Sequence, residues 1–190
     1  MIPFVREIDV EYGRCDEVSP LIRRVTAANP GPFTYKGTGT YIVGRGEVAV
    51  IDPGPAMSEH LEALKRAIEG ERVSAILVTH HHLDHSPLAR PLREWSGATV
   101  FGRAAPPVFR AARTESEPVR AGSETGGPRL EEGRDDFVPD VTIEEGEVFE
   151  GPGWRLEALA TPGHTSNHVC FALTQENALF SGDHVMGWST

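Results

Sequence analysis

Cysteine is scarce in this 190-residue chain: Cys15 and Cys170 are the only two, and they lie far apart. No disulfide framework or disulfide partner is expected, and a reducing cytoplasmic location is the default. No apolar run is long enough to cross a bilayer, so no membrane association is expected. Residues 1–7 lack the basic flank and apolar stretch of a secretion signal. Positive charge is also short, with 18 Lys and Arg against 28 Asp and Glu, a net charge of −10. The imbalance is uneven: residues 1–101 carry 11 basic and 13 acidic side chains, residues 102–190 carry 7 and 15. A basic face spanning the molecule is disfavoured, and with it indiscriminate nucleic-acid binding, although a local arginine cluster is not. At 39% hydrophobic and 24% charged residues, the chain falls among folded proteins rather than disordered ones. Its length suits one domain, taken as 1–190.

What is abundant is histidine, eight in all, four of them between positions 80 and 85. The surroundings read as alternating strands and helices. Strand-like runs at 40–43 and 48–51 flank a tight turn at Gly44-Arg45-Gly46, and Asp52-Pro53-Gly54-Pro55 stops the second run. A helix follows, with Ser58 as its cap, Glu59 in the first turn, Leu61, Leu64 and Ile68 at helical spacing, and Gly70 at its end. On this helix His60 reads as a surface residue. Ala75-Ile76-Leu77-Val78 is apolar without alternation, as for a strand covered on both faces. A second helix is expected over 88–95 and strands over 98–101, 154–160, 169–173 and 178–181. Between them, glycine and proline supply 10 of the 39 positions in 102–140, and no structural period persists there. That stretch reads as a long loop within the domain, equally a solvated insertion or a substrate-facing lid. The class is α/β with mixed sheets.

Thr79-His80-His81-His82-Leu83-Asp84-His85 follows the buried strand directly, where side chains at a strand's carboxyl end converge on a cleft. In extended chain His80, His82 and Asp84 share one side, and His81 and Leu83 the other; His85 breaks that parity if the chain turns there. Imidazole and carboxylate together suit zinc and similar divalent cations. An affinity tag would sit at a terminus, not behind a buried strand, so a metal site is the better reading. Thr161-Pro162-Gly163-His164-Thr165 and Ser181-Gly182-Asp183 each put one more such side chain just past a strand.

The order His80-x-His82-x-Asp84-His85, then His164, then Asp183 resembles the metallo-β-lactamase-fold hydrolases. Residues 29–41, 161–168 and 176–183 narrow the resemblance to the β-lactamase-like protein 2 group, which includes a mitochondrial endoribonuclease. The resemblance implies a four-layer αββα sandwich with a two-metal site at the rim between its sheets. It implies that His80, His82 and His164 hold a first ion, that Asp84 and His85 hold a second, and that Asp183 bridges both. Asp52 would orient the histidine loop without touching metal. The ions would be zinc, two in the complete enzyme, with manganese or iron as alternatives. A hydroxide formed between them would attack an ester, thioester, lactone or phosphodiester, with Asp84 also a catalytic residue that steers the nucleophile or carries a proton.

One family feature is missing. A further histidine downstream of the bridging aspartate has no counterpart in the seven residues after Asp183, and His184, beside it, would face the opposite side. His168 reads as a supporting residue. The expectation is a chain truncated within its second half. Three alternatives to small-molecule hydrolysis stand at this point. The first is single-stranded RNA cleavage, opposed by nine acidic side chains in 131–150 but helped if the six arginines of 102–140 cluster. The second is a mononuclear iron persulfide dioxygenase, and the third an inactive metal-binding fragment.

Overall fold

The computed structural model describes residues 7–104 and 137–187. The long-loop reading of 102–140 therefore falls mostly outside the described residues.

Thirteen strands and helices follow in order. They are β1 (Cys15–Glu17), β2 (Ile22–Thr26), β3 (Gly39–Arg45), β4 (Glu47–Ile51), α1 (Ser58–Ala67), β5 (Arg72–Leu77) and α2 (Ala89–Ser96). Then come β6 (Thr99–Gly102), β7 (Val141–Thr142), β8 (Val148–Gly151), β9 (Trp154–Ala160), β10 (Val169–Leu173) and β11 (Ala178–Phe180). Strands β1 to β7 form one sheet in sequence order, antiparallel as far as β4 and parallel from β4 to β7. The second sheet, ordered β11-β10-β9-β8, is antiparallel throughout.

Two cores follow from the period of the strands. Val43, Ile51, Leu77, Trp154, Leu156 and Phe171 meet between the sheets. On the other face of the larger sheet, Ile42, Val50 and Ile76 meet Leu64 of α1, Ile68 just past its end and Leu92 of α2. Residues 76 and 77 thus point into different cores, which is why the β5 run shows no polar alternation. The described residues supply three layers, helices, large sheet and small sheet. No described helix is long and apolar enough to cross a membrane.

Most expected elements are present with ends shifted by a residue or so. Met57, not Ser58, is the N-cap of α1 and makes no side-chain cap bond; the Ser58 hydroxyl turns to Glu59 instead. Pro91 is the third residue of α2, inside the first turn, where its missing N–H removes no intrahelical bond.

His60 corrects the surface reading. It is 3% exposed, lies on the Leu64 side of α1, and shares a 2.8 Å hydrogen bond between Nε2 and Thr40 Oγ1. Gly54 packs on its ring so closely that a Cβ there would come within 2.9 Å. Burial lowers the His60 pKa to about 4. Folding therefore favours the neutral ring, and the stability this provides is complete above the unfolded pKa of 6.5 and is lost as pH falls toward 4. We expect His60→Gln to lose about 3 kcal/mol less stability than wild type on going from pH 7 to pH 4, read by chemical unfolding at both pH values.

Candidate metal centre

Three loops meet at one end of the sheets. After β5, Thr79 and His80 continue extended, and residues 82–86 close one turn through His85 N–H and Ser86 N–H donating to His82 O. That turn brings His85 back beside His80, with ring centroids 4.3 Å apart, as the broken parity predicted. The β9–β10 loop delivers His164, and the turn after β11 delivers Asp183. Val169 N–H donates to Thr79 O at 2.8 Å and fastens the small sheet to the large one at this point.

His80 Nε2 and His164 Nε2 each lie 3.0 Å from His82 Nδ1. The Thr79 hydroxyl donates to Asp52 Oδ2, so its contact with His80 Nδ1 must be donated by the ring, leaving His80 Nε2 unprotonated. One proton on His82 Nδ1 cannot serve both facing nitrogens. A tetrahedral zinc ion with bonds of 2.0–2.1 Å would space its ligand nitrogens about 3.3 Å apart, close to what the rings already hold. His80, His82, His164 and Asp183 offer one ligand atom each, all within 4.8 Å of one another. Burial, with His164 and His81 nearby, lowers the His82 pKa to about 4, and burial pushes His80 well below the ordinary range. Both rings are neutral, the form that ligates metal.

Asp84, His85 and Asp183 form a second such group, so Asp183 belongs to both. His85 Nε2 lies 3.2 Å from Asp84 Oδ2 and 3.3 Å from Asp183 Oδ1. His85 Nδ1 meets Asp52 Oδ2 at 2.8 Å. Burial works against charge on His85, but Asp52, Asp183 and Asp84 outweigh it and raise its pKa well above the ordinary value. Burial also opposes ionisation of Asp84, yet His85 and Thr38 draw its pKa down to about 2. Three carboxylates converging on one imidazole favour its charged form, and the Asp84, His85 and Asp183 donor set also fits a divalent cation.

Asp52 stands behind both groups. It is 4% exposed and accepts from Thr79 N and Thr79 Oγ1, each at 2.8 Å, besides His85. His81 points away, its Nδ1 donating to Asn167 Oδ1 at 2.9 Å. His184 is exposed and belongs to neither group. His168 is fully buried: Asp183 N–H donates to its Nε2 at 3.3 Å, so its Nδ1–H faces Thr161 Oγ1. Gly182 takes φ +48 between His168 and Thr79, where a Cβ would come within 2.8 Å of each.

Two contributors had no motif of their own. Thr38 Oγ1 donates to Asp84 Oδ2 at 3.0 Å, and Asn29 holds Thr38 through both halves of its amide. Beside the metal-type residues opens a cleft of about 380 Å³, lined by Asp84, His85, Asp183, Tyr41, Arg24 and Phe180 among others. Its acidic lining residues are Asp52, Asp84 and Asp183; the described glutamates of the 131–150 stretch do not reach it.

A two-sheet α/β domain with a histidine–aspartate cluster where its loops converge is a scaffold whose side chains could hold metal ions. Residues 35–189 match the metallo-beta-lactamase superfamily, and the chain belongs to it. The lactamase-like protein ptaB of Pestalotiopsis fici is 32% identical over 178 residues, covering 92% of this chain and 48% of the relative. An atrochrysone carboxyl ACP thioesterase of Aspergillus fumigatus is 33% identical over 196 residues, covering 100% and 50%. A metallo-beta-lactamase family protein from Thermus thermophilus superposes with TM-score 0.65 at 26% identity, covering 92% of this chain and 66% of that one. A beta-lactamase domain protein from Burkholderia ambifaria reaches TM-score 0.69 at 21% identity, covering 97% and 59%, a likeness of fold. The chain spans about half the length of the curated relatives it matches.

Proposed function

We propose that this domain is the metal-binding part of a hydrolase acting on acyl thioesters. The observation that carries the hydrolase reading is the pair of ligand groups joined at Asp183 beside an open cleft. The thioester class draws on relatives named as thioesterases at 33% and 31% identity. It also draws on the apolar rim of the cleft, where Val18, Phe33, Leu179 and Val185 are exposed.

His80, His82 and His164 would hold one ion, Asp84 and His85 a second, and Asp183 both. Zinc is the ion that the histidine-rich first group suits best. Bound there, divalent cations supply Lewis acidity toward a carbonyl and lower the proton affinity of water. The protein's own groups do the rest. Thr79 and Asp52 face the Nδ1 atoms of His80 and His85, so each ring turns its Nε2 toward the site, where a cation would take the place of the proton on His85. Thr38 fixes one Asp84 oxygen and leaves the other to accept a proton from an attacking water. The apolar rim desolvates the acyl group.

The test assays an acyl thioester, an oxygen ester, a lactone and single-stranded RNA on the zinc-supplemented protein. Thioester turnover that Asp84→Ala lowers at least about a hundredfold is expected. Cleavage of RNA alone, or equal turnover by the variant, would overturn the proposal.

A further inference from the structure

We propose that Arg24 is the specificity residue of the cleft and binds a carboxylate on the acyl group, at the end away from the thioester. This rests on the thioester reading above. Strand parity puts Arg24 on the face of Ile22, which belongs to the core between the sheets, while Val25 faces the helices. An arginine therefore points inward among apolar side chains. Tyr41 is its cross-strand partner and packs edge-on to Phe180, ring centroids 5.2 Å apart. A chain of contacts links it to the metal-type residues. Thr38 bonds Asp84, and a Cβ on the neighbouring Gly39 would lie 3.3 Å from Arg24 Cδ and 3.5 Å from the Tyr41 hydroxyl. Arg24, Asp84 and His85 line one cleft.

The guanidinium is underused within the protein. Its Nε is buried and has no hydrogen-bond partner among the described residues. Asp16, its other cross-strand partner, on β1, makes only a loose ion pair with it: Oδ2 lies 3.6 Å from Nη2, beyond hydrogen-bond reach, and Asp16 Oδ1 is already taken by Arg14 at 2.6 Å. The Tyr41 hydroxyl interacts with it as well. The adjacent Arg23 also has a buried Nε without a partner, and the difference lies at the Nη atoms: those of Arg23 bond Ala67 O, Gly44 O and Glu71. A guanidinium fork held beside apolar walls, with donors to spare, matches a carboxylate in shape and in unit charge. The other lysine or arginine among the described residues that line the cleft, Lys36, places its Nζ over the Tyr35 ring, 5.4 Å from the centroid. A doubly charged phosphate would leave a charge uncompensated near Arg24.

The experiment compares N-acetylcysteamine thioesters of glutaric and pentanoic acid, which differ in the terminal carboxylate, on the zinc-supplemented chain. Wild type should prefer the glutaryl compound by about tenfold in kcat/KM, carried in KM, as expected for one charged hydrogen-bonded contact. Arg24→Met should bring that ratio near one, and Arg24→Lys should keep part of it. Isothermal titration of the uncleavable glutaryl thioether into metal-free protein provides a second readout, with about tenfold weaker binding to Arg24→Met. An unchanged ratio together with unchanged thioether affinity in Arg24→Met would overturn the proposal, as would preference for a phosphate-terminated analogue. If wild type hydrolyses neither thioester but binds the thioether through Arg24, the thioester reading fails and the carboxylate site stands.

Discussion

Asp183→Ala should fold, bind at most one divalent cation per chain in place of two, and lose at least about a thousandfold in turnover. Asp183 is the residue common to both ligand groups. Its Oδ1 lies 3.3 Å from His85 Nε2 and its Oδ2 lies 3.5 Å from His164 Nε2, so one carboxylate faces a ligand of each ion. Removing it takes an anionic ligand from both groups at once. The histidine group keeps three imidazole nitrogens, enough to hold zinc more weakly. The other group keeps only Asp84 and His85, too few for a tight site. A lost cation removes several kcal/mol of transition-state stabilisation, and about 4 kcal/mol is already a thousandfold.

The fold should survive Asp183→Ala because the structural duties of position 183 belong to its backbone. The N–H that donates to His168 Nε2 remains, as does the neighbouring Gly182 turn packed on Thr79. Elemental analysis of dialysed protein counts the cations, and steady-state thioester hydrolysis gives the rate. Two retained ions with more than about a tenth of wild-type turnover would refute the joint-ligand assignment.

The histidine loop can be read from the chain because its geometry is local. Extended backbone separates His80 and His82 from His81, and the structure turns His81 to Asn167. β9 and β10 are equally legible, since apolar residues bounded by turn signals mark both ends of each. His60 is the counter-example. Its spacing to Leu64 places both on one face of α1, but an imidazole reads as a surface group until its buried partner is known, and Thr40 lies on another element. Thr38 is hidden for a different reason. Its bond to Asp84 spans 46 positions, and no local period encodes a contact between two loops. The cleft depends on β2, β3 and β11 coming from both sheets, so Arg24 has no place inside it until the sheets are packed. The chain spans about half the length of the curated relatives it matches, and β11 is the edge of its sheet among the described residues.

Asp52 allows a prediction that separates stability from ligation. It takes φ +50, a left-handed conformation uncommon for residues other than glycine, and that turn aims its carboxylate at Thr79 and His85. In Asp52→Ala, the Thr79 amide, the Thr79 hydroxyl and His85 Nδ1 all lose their acceptor inside the protein. Leaving such a buried network open should cost about 3–5 kcal/mol, read by denaturant unfolding of metal-free protein. Asp52→Asn keeps the shape and one acceptor oxygen, so it should recover much of that stability. It should not recover cation binding. The amide offers NH₂ where the carboxylate offered oxygen; if that NH₂ faces His85 Nδ1, the ring must accept there and carry its proton on Nε2, the atom directed at Asp84 and Asp183. Cation affinity should then fall by about 10- to 100-fold, measured by competition with a chelating dye, while the unfolding midpoint stays near wild type. An Asn variant that binds cations as wild type does would show that Asp52 acts only on stability, and that the His85 tautomer is set elsewhere.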